Sequence, residues 1–139
     1  MMIGPEAQRA RAQLKYWWLA WGVVGLSLMT IYFTLGPAPS LADSARSHPL
    51  TGLIGLVPLF LSIIIRWLIL PRCTHLKAAL PWFMVGLALA EAAGILGALL
   101  GGVYRANLCI LGLLGFLQYA PTFARQYLEP KPTGYIPNN

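Results

Sequence analysis

The sequence predicts an all-α integral membrane protein with four transmembrane helices. Of its 139 residues, 58% are hydrophobic and 10% are charged, whereas charged residues make up roughly 25% of soluble domains. The apolar residues collect in four stretches, each close to the ~20 residues that cross ~30 Å of hydrocarbon as a helix. We therefore expect a single four-helix domain built from two helical hairpins. The predicted spans are residues 17–36, 50–70, 79–103 and 106–124.

The first stretch, residues 17–36, follows a polar and basic segment that ends at Lys15. A cleaved secretory signal peptide has the same order of basic and apolar regions, and PSLADSA imitates a cleavage site. The apolar part is about 20 residues long, however, and signal peptides have roughly 7–15 apolar residues. We therefore expect a retained transmembrane helix.

Prolines mark the later spans. Pro58 removes a backbone hydrogen bond from the second stretch and predicts a bend there. The compact basic connection PRCTHLKAALP leads into the third stretch, and Pro81 suits the first turn of that helix. The fourth stretch is less apolar and reaches Pro121. Several prolines follow it, so we expect residues 125–139 to form an extended cytoplasmic tail.

The basic residues predict which side of the membrane each helix end faces. With the N-terminus in the cytoplasm, eight Lys and Arg residues lie inside and two lie outside, as the positive-inside rule requires. All five tryptophans, which suit the headgroup layer as interface anchors, fall at the same cytoplasmic ends. We therefore expect both chain ends to lie in the cytoplasm. The inner basic residues are Arg9, Arg11, Lys15, Arg66, Arg72, Lys77, Arg125 and Lys131, the outer ones are Arg46 and Arg105, and the tryptophans are Trp17, Trp18, Trp21, Trp67 and Trp82.

Charge and residue placement argue against several functional classes. The net charge of +6 is spread over helix ends, so anionic lipid headgroups explain it better than nucleic-acid binding does. Cys73 and Cys109 are predicted at different depths, so no disulfide is expected. His48 and His75 lie on opposite sides, and no His/Cys cluster has metal-ligand spacing. Phosphate-binding loops, HExxH and nucleophile elbows are absent from the sequence, so we expect no metal, no cofactor and no enzyme activity.

The third stretch carries small residues at a spacing of four, which lets a second helix approach its backbone closely. A neighbouring row of glycines widens this small-residue face. We predict that the third helix lies in the interior of the bundle and packs through these residues. They are Gly86, Ala90, Gly94, Gly97, Ala98 and Gly101.

Glu91 is the one acidic residue within a predicted span. It lies about 18 Å from the cytoplasmic end of the third helix, near the midplane, where a charged carboxylate costs about 2.5–3.5 kcal/mol. We expect it to be protonated or paired at neutral pH. Three interpretations remain open: a neutral carboxyl bonded within the chain, a proton or ion carrier, and a contact with another subunit. Candidate partners are Ser27, Thr30, Ser62 and the carbonyls near Pro58, whereas Arg66 is shallower and is expected to extend toward the headgroups.

The run LALAEAAGILG, residues 87–97, resembles the ion-carrying helix of the proteolipid c subunit of rotary ATP synthases. In that family a carboxylate lies among small residues and is followed by an Ile and a Gly. The resemblance implies that Glu91 binds a proton or sodium ion in a ring of identical subunits, with PRCTHLK as the polar loop. The sparse glycines of the second stretch and the two additional spans depart from that family. The chain as a whole resembles small four-span bacterial membrane proteins, which implies a multi-pass protein of the bacterial inner membrane.

Two functional hypotheses follow. The preferred one is a non-catalytic multi-pass subunit of a larger inner-membrane complex, for example an energy-transducing one, whose partners are the lipid bilayer and other membrane subunits. The alternative is a small proton- or ion-conducting homo-oligomer that uses Glu91. Both hypotheses depend on Glu91, because each requires that another chain or an ion reaches this residue.

Overall fold

The computed structural model describes residues 5–34, 51–100 and 104–127. These residues are almost entirely helical, and none of them forms a strand. Within the same ranges, four helical segments are long and apolar enough to cross a membrane. The prediction of an all-α, multi-pass membrane protein is therefore confirmed at the level of helix number, length and composition. The four segments are Arg11–Thr34, Leu53–Arg72, Leu76–Leu100 and Arg105–Ala124.

Helix α1 runs without interruption over Pro5–Thr34. Pro5 stands at its first position, where a missing N–H leaves no helical hydrogen bond unmade. The exposed basic side chains of Arg11 and Lys15 therefore belong to the same helix as the aromatic run YWWLAW that follows them. The outer connection after α1, residues 35–50, lies outside the described residues.

The second span changes helix type three times. It begins as the 3-10 helix Thr51–Gly55 and continues as α2, Leu56–Ile64. It then becomes the π-helix Ile65–Ile69 and ends as the 3-10 helix Leu70–Arg72. The change before Leu56 places Pro58 in the first turn of α2, where amide groups have no α-helical acceptor.

Helix α3 is the longest apolar helix after α1 and covers Leu76–Leu100. Its first turn is closed by hydrogen bonds from the amides of Ala78 and Ala79 to the His75 carbonyl, at 3.1 and 3.0 Å. Because the helix begins before the predicted position 79, Pro81 lies inside it rather than in its first turn. The Pro81 ring removes one backbone donor there.

Helix α4, Arg105–Leu117, is followed by a short turn and the 3-10 helix Pro121–Tyr127. The predicted extended tail therefore does not begin at 125, since the chain remains helical through Tyr127. A hydrogen bond of 2.6 Å from the Tyr127 hydroxyl to the Leu70 carbonyl holds this segment against the second span. Residues 128–139, the rest of the predicted tail, lie outside the described residues.

Helix α3 forms the centre of the bundle, since it packs against α1, the second span and α4. Gly86 meets Tyr119, and Gly97 meets Leu108. Residue numbers therefore rise along α3 as they fall along α4 and the turn that follows it. Helices α3 and α4 are antiparallel. The buried residues of α3 are Leu76, Ala79, Phe83, Gly86, Leu87, Ala90, Ala93, Gly94, Gly97 and Ala98.

One end of the bundle has a dense aromatic core. Trp17 of α1 stacks on Phe83 of α3 with ring centroids 4.4 Å apart. Phe123 and Tyr127 of the last 3-10 helix lie against the same indole, at 5.9 and 6.4 Å. These contacts join the first and last described segments to α3. We call this part of the bundle, together with the neighbouring Trp67, the tryptophan end.

Candidate functional site

The small residues of α3 permit unusually close helix contacts. A β-carbon at position 112 of α4 would lie 2.6 Å from the Cα of Gly94, closer than real atoms approach. A β-carbon at position 97 would lie 2.7 Å from the Cβ of Leu108. Glycine at these positions therefore allows the two backbones to touch. The structure buries Gly86, Ala90, Gly94, Gly97 and Ala98, and Gly101 lies outside the described residues.

The matching surface of α4 was missed by sequence reasoning. Gly112 and Gly115 are both buried, and a β-carbon at position 115 would lie 2.5 Å from Leu59 Cδ1. Tyr119 continues this face at the end of α4. A signal was present in the sequence, because LGLLGFLQY spaces two glycines and the tyrosine by three and four residues, which places them on one side of a helix.

A buried polar network connects three of the spans. The Ser62 hydroxyl donates a hydrogen bond of 2.9 Å to the Gly86 carbonyl. The Tyr119 hydroxyl donates one of 2.5 Å to the Ser62 carbonyl. A side chain at position 86 would overlap the Tyr119 ring and hydroxyl, so the glycine makes room for this bond. Ser62 therefore forms its hydrogen bonds with Gly86 and Tyr119 and not with Glu91.

Arg66 caps the end of α4. Its Nε donates a hydrogen bond of 2.7 Å to the carbonyl of Gln118, the residue that ends the helix. Carbonyls at a helix C-terminus lack intrahelical donors, and a cation there also complements the helix dipole. The predicted free extension of Arg66 toward the headgroups is thus restricted by a specific contact, although the side chain remains partly exposed.

Aromatic rings surround the same guanidinium. Its Cζ lies 4.0 Å from the centroid of Phe123 and 5.3 Å from that of Trp67. The Trp67 indole in turn donates a hydrogen bond of 3.1 Å to the Gln118 side-chain oxygen. Such cation–π contacts hold the orientation of the guanidinium plane. Sequence reasoning missed this cluster because the spans that supply it are distant in the chain.

The five tryptophans do not share one environment. Trp18, Trp67 and Trp82 are exposed, as interface anchors are. Trp21 is half-buried, stacks on Phe116 at 4.7 Å between centroids and donates a hydrogen bond of 3.3 Å to the Phe116 carbonyl.

Trp17 differs from the predicted interface anchor. Its side chain is 1% exposed and packs on Phe83 in the core. Helical phase explains the difference, since consecutive residues of a helix point about 100° apart and position 17 faces α3 where position 18 faces outward. The buried Trp17 indole N–H has no acceptor among the described residues.

Glu91 lies in α3 and is partly buried. Its carboxyl group makes no hydrogen bond or ion pair with any residue in the described ranges 5–34, 51–100 and 104–127. Two of its predicted partners are bonded elsewhere: Ser62 as described, and Thr30, whose hydroxyl donates to the Leu26 carbonyl at 2.8 Å. Arg66 is held by the end of α4.

Helical spacing places Glu91 on the α1 side of α3. Gly94 follows it by three residues and contacts Leu28 of α1, and Ala98 follows it by seven. Residues at these intervals share one side of a helix. Glu91, a partly exposed residue, therefore lies beside the line of contact between α1 and α3.

An apolar cavity of about 290 Å³ opens between α1, α3 and α4. It begins one helical turn beyond Glu91, at Gly94. Its walls are mostly aliphatic and aromatic groups with one thiol, so it can accommodate an apolar chain. The wall residues include Leu28, Tyr32, Gly94, Ala98, Cys109 and Leu113.

Metal-binding geometry is not found in the part of the chain that the structure describes, where no three His, Cys, Asp or Glu side chains cluster. Cys73 and Cys109 are both free thiols. Comparison of the chain with known protein families, curated proteins and solved structures gives no match. The candidate site therefore consists of Glu91, the apolar cavity that begins one helical turn away, and the small residues whose packing positions both.

Proposed function

We propose that this chain is a non-catalytic, multi-pass subunit of a larger complex in a bacterial inner membrane. Its four helices form two hairpins, and both chain ends lie in the cytoplasm. The observation that carries the proposal is Glu91, a partly exposed residue of α3 whose carboxyl has no partner in the described part of the chain. The positive-inside bias and the exposed tryptophans support the orientation.

The energetic argument concerns the surroundings of the Glu91 carboxyl. An ionised side chain at this depth costs about 2.5–3.5 kcal/mol, and even a neutral carboxyl keeps a donor that lipid tails cannot satisfy. Two residues of the same chain that were expected to bond it, Ser62 and Thr30, donate their hydroxyl hydrogen bonds elsewhere. A polar group on a neighbouring subunit removes this cost, so Glu91 contributes to assembly rather than to the stability of the isolated chain.

Helix α1 supports an interaction beside Glu91. In its most apolar part, 6% of the residues are buried inside the protein, compared with 44% in the corresponding part of α3. Exposed apolar side chains on α1 include Leu19, Val23 and Leu26. A helix with so little internal packing leaves a continuous surface for a neighbouring transmembrane helix.

Gentle solubilisation of native membranes followed by size-exclusion chromatography tests the proposal. The wild-type chain should elute in a particle much larger than a micelle with one 15.2 kDa chain. Glu91→Leu should release the chain from this particle, and Glu91→Gln, which keeps hydrogen-bonding groups, should release less of it. Leu99→Ala is the matched control, because Leu99 is exposed on the same helix at 60%. Elution of the wild type as a single chain would contradict the proposal.

The second candidate function is a proton- or ion-conducting homo-oligomer. The same unpartnered Glu91 favours it, together with the local resemblance of residues 87–97 to the carboxylate helix of proteolipid c subunits. In this case the large particle contains copies of one chain alone. A hydrophobic carbodiimide should label Glu91, and Glu91→Gln should abolish ion flux in proteoliposomes. Flux that persists at the wild-type rate in Glu91→Gln rules out this function.

A further inference from the structure

Arg66 has donors that no residue of the described chain uses. Its Nε bonds to the Gln118 carbonyl, which leaves the terminal nitrogens of the guanidinium without an acceptor in ranges 5–34, 51–100 and 104–127. Glu91, the acidic residue of the four described spans, forms no ion pair with Arg66. The charge is therefore uncompensated within the spans that the structure describes.

The position of this guanidinium is fixed rather than free. Phe123 supports it at 4.0 Å and Trp67 at 5.3 Å, and the Gln118 side chain holds the Trp67 indole at 3.1 Å. The second span contributes Arg66 from its π-helix, a helix type that is frequently found at functional sites. A planar fork held in this way loses little side-chain entropy when it binds an anion.

We propose that the Arg66 guanidinium binds the phosphate of an anionic phospholipid headgroup at the tryptophan end. Guanidinium and phosphate match in a bidentate, charge-assisted geometry. Arg66 lies about two turns from the end of its span, beside the exposed Trp67 indole, which suits the headgroup layer. This site is separate from Glu91 and does not depend on the proposed subunit function.

Charge complementarity selects an anionic rather than a zwitterionic lipid. Arg72 at the end of the second span and Lys77 in the first turn of α3 are both exposed, at the same end as Arg66. These cations repel the ammonium group of a zwitterionic headgroup and attract a lipid with net negative charge. Free phosphate has the same chemistry at the guanidinium but lacks acyl chains, so the two sources can be separated experimentally.

Native mass spectrometry of the purified full chain in detergent tests the site. Dioleoyl phosphatidylglycerol should bind as a first, saturable lipid about tenfold more tightly than dioleoyl phosphatidylcholine, because both carry the phosphate but only phosphatidylcholine carries an ammonium group that Arg72 and Lys77 repel. Arg66→Gln should remove about tenfold of this affinity. Lys15→Gln is the matched control, because Lys15 is an exposed basic residue of α1 close to Trp17 at the same end, and it should change the affinity by less than about twofold.

The remaining arms separate folding and ligand source. If Arg66→Gln aggregates on size-exclusion chromatography, Arg66→Lys replaces it, because lysine keeps the charge but loses the planar fork, and several-fold weaker phosphatidylglycerol binding is expected. Inorganic phosphate at millimolar concentration should not displace the lipid. Equal binding of both lipids, equal losses in the Arg66 and Lys15 variants, undiminished binding in Arg66→Lys, or displacement by inorganic phosphate would each overturn the proposal.

Discussion

The Tyr119 hydroxyl lies directly against the backbone of Gly86, in the space that a β-carbon at position 86 would occupy. From there it donates its hydrogen bond to the Ser62 carbonyl. A glycine of α3 and a tyrosine beyond α4 thus determine together how closely the second, third and fourth spans approach. The free energy of unfolding of the bundle should therefore change when a single methyl or hydroxyl group is added or removed at these positions.

Gly86→Ala should destabilise the bundle by about 1–3 kcal/mol, as overpacking of a well-packed core does. The added methyl group meets a tyrosine that is itself fully buried and hydrogen-bonded, so it cannot move aside freely. The matched control is Gly22→Ala, because no atom lies within 4 Å of a β-carbon at position 22.

The free energy of unfolding in mixed detergent micelles is the quantity to measure for both alanine variants. Gly22→Ala should be neutral or stabilising by up to about 1 kcal/mol, the gain in helix propensity. A Gly86→Ala protein as stable as Gly22→Ala would show that α3 and Tyr119 do not pack as described.

Gly112→Ala should cost more stability than Gly94→Ala. At position 112 the new methyl group meets the Gly94 backbone, with its Cα at 2.6 Å, and two helix axes would have to separate. At position 94 it meets the terminal Cδ2 of Leu28 at 2.8 Å, which a rotamer change can move. Thermal unfolding monitored by tryptophan fluorescence ranks the two variants, and a larger loss for Gly94→Ala would contradict the close approach of α3 and α4.

Tyr119→Phe should lower the free energy of unfolding by about 1 kcal/mol. The substitution keeps the ring but removes the hydroxyl that donates to the Ser62 carbonyl, which then keeps only its backbone donor, the Ile65 amide. Hydrogen bonds within membrane proteins contribute on this scale. Tyr32→Phe serves as control, because Tyr32 is 44% exposed and donates no side-chain hydrogen bond to a described residue. Equal stability of the two variants would show that the hydrogen bond from Tyr119 to Ser62 does not stabilise the core.

The sequence pattern predicted the number of helices and the packing face of α3. It did not predict which side chains pack against that face. Length and apolarity suffice for the four spans, and small residues at a spacing of four identified Gly86 and Gly94 as closely packed positions. Which side chain fills the space beside each glycine depends on the neighbouring helix, so Tyr119 was not foreseen. Similarly, composition treats Trp17 and Trp18 alike, whereas helical phase buries the first and exposes the second.

The site was predictable to a smaller extent than the fold. Glu91 stands out in the sequence because a carboxylate in a span is rare. The sequence could not show that the candidate partner Ser62 donates its hydroxyl hydrogen bond to the Gly86 carbonyl instead, because that bond joins two different spans. The changes of helix type in the second span could not be predicted from its sequence beyond the bend expected at Pro58, because π-helical turns have no simple residue pattern.

Cys73 provides a test of the predicted orientation. It lies in the connection between the second span and α3, at the tryptophan end, and is a partly exposed free thiol. In a Cys109→Ser background, a membrane-impermeant maleimide should label Cys73 in inverted vesicles and not in intact spheroplasts. The matched Cys73→Ser variant, which keeps Cys109 within the fourth span, should remain unlabelled in both preparations. Labelling of Cys73 in spheroplasts would place the tryptophan end on the outer side.

Photo-crosslinking beside Glu91 tests most directly whether another subunit meets this carboxyl. A photoreactive residue in place of Ala88, which is exposed and three residues from Glu91, should crosslink to a different polypeptide in native membranes, and Glu91→Leu should abolish that product. The same probe at Leu111, exposed on α4, reports the background from random collisions. A product that is specific to position 88, contains a second protein and is lost without Glu91 is the predicted result, whereas crosslinks to lipid alone at position 88 would contradict the subunit function.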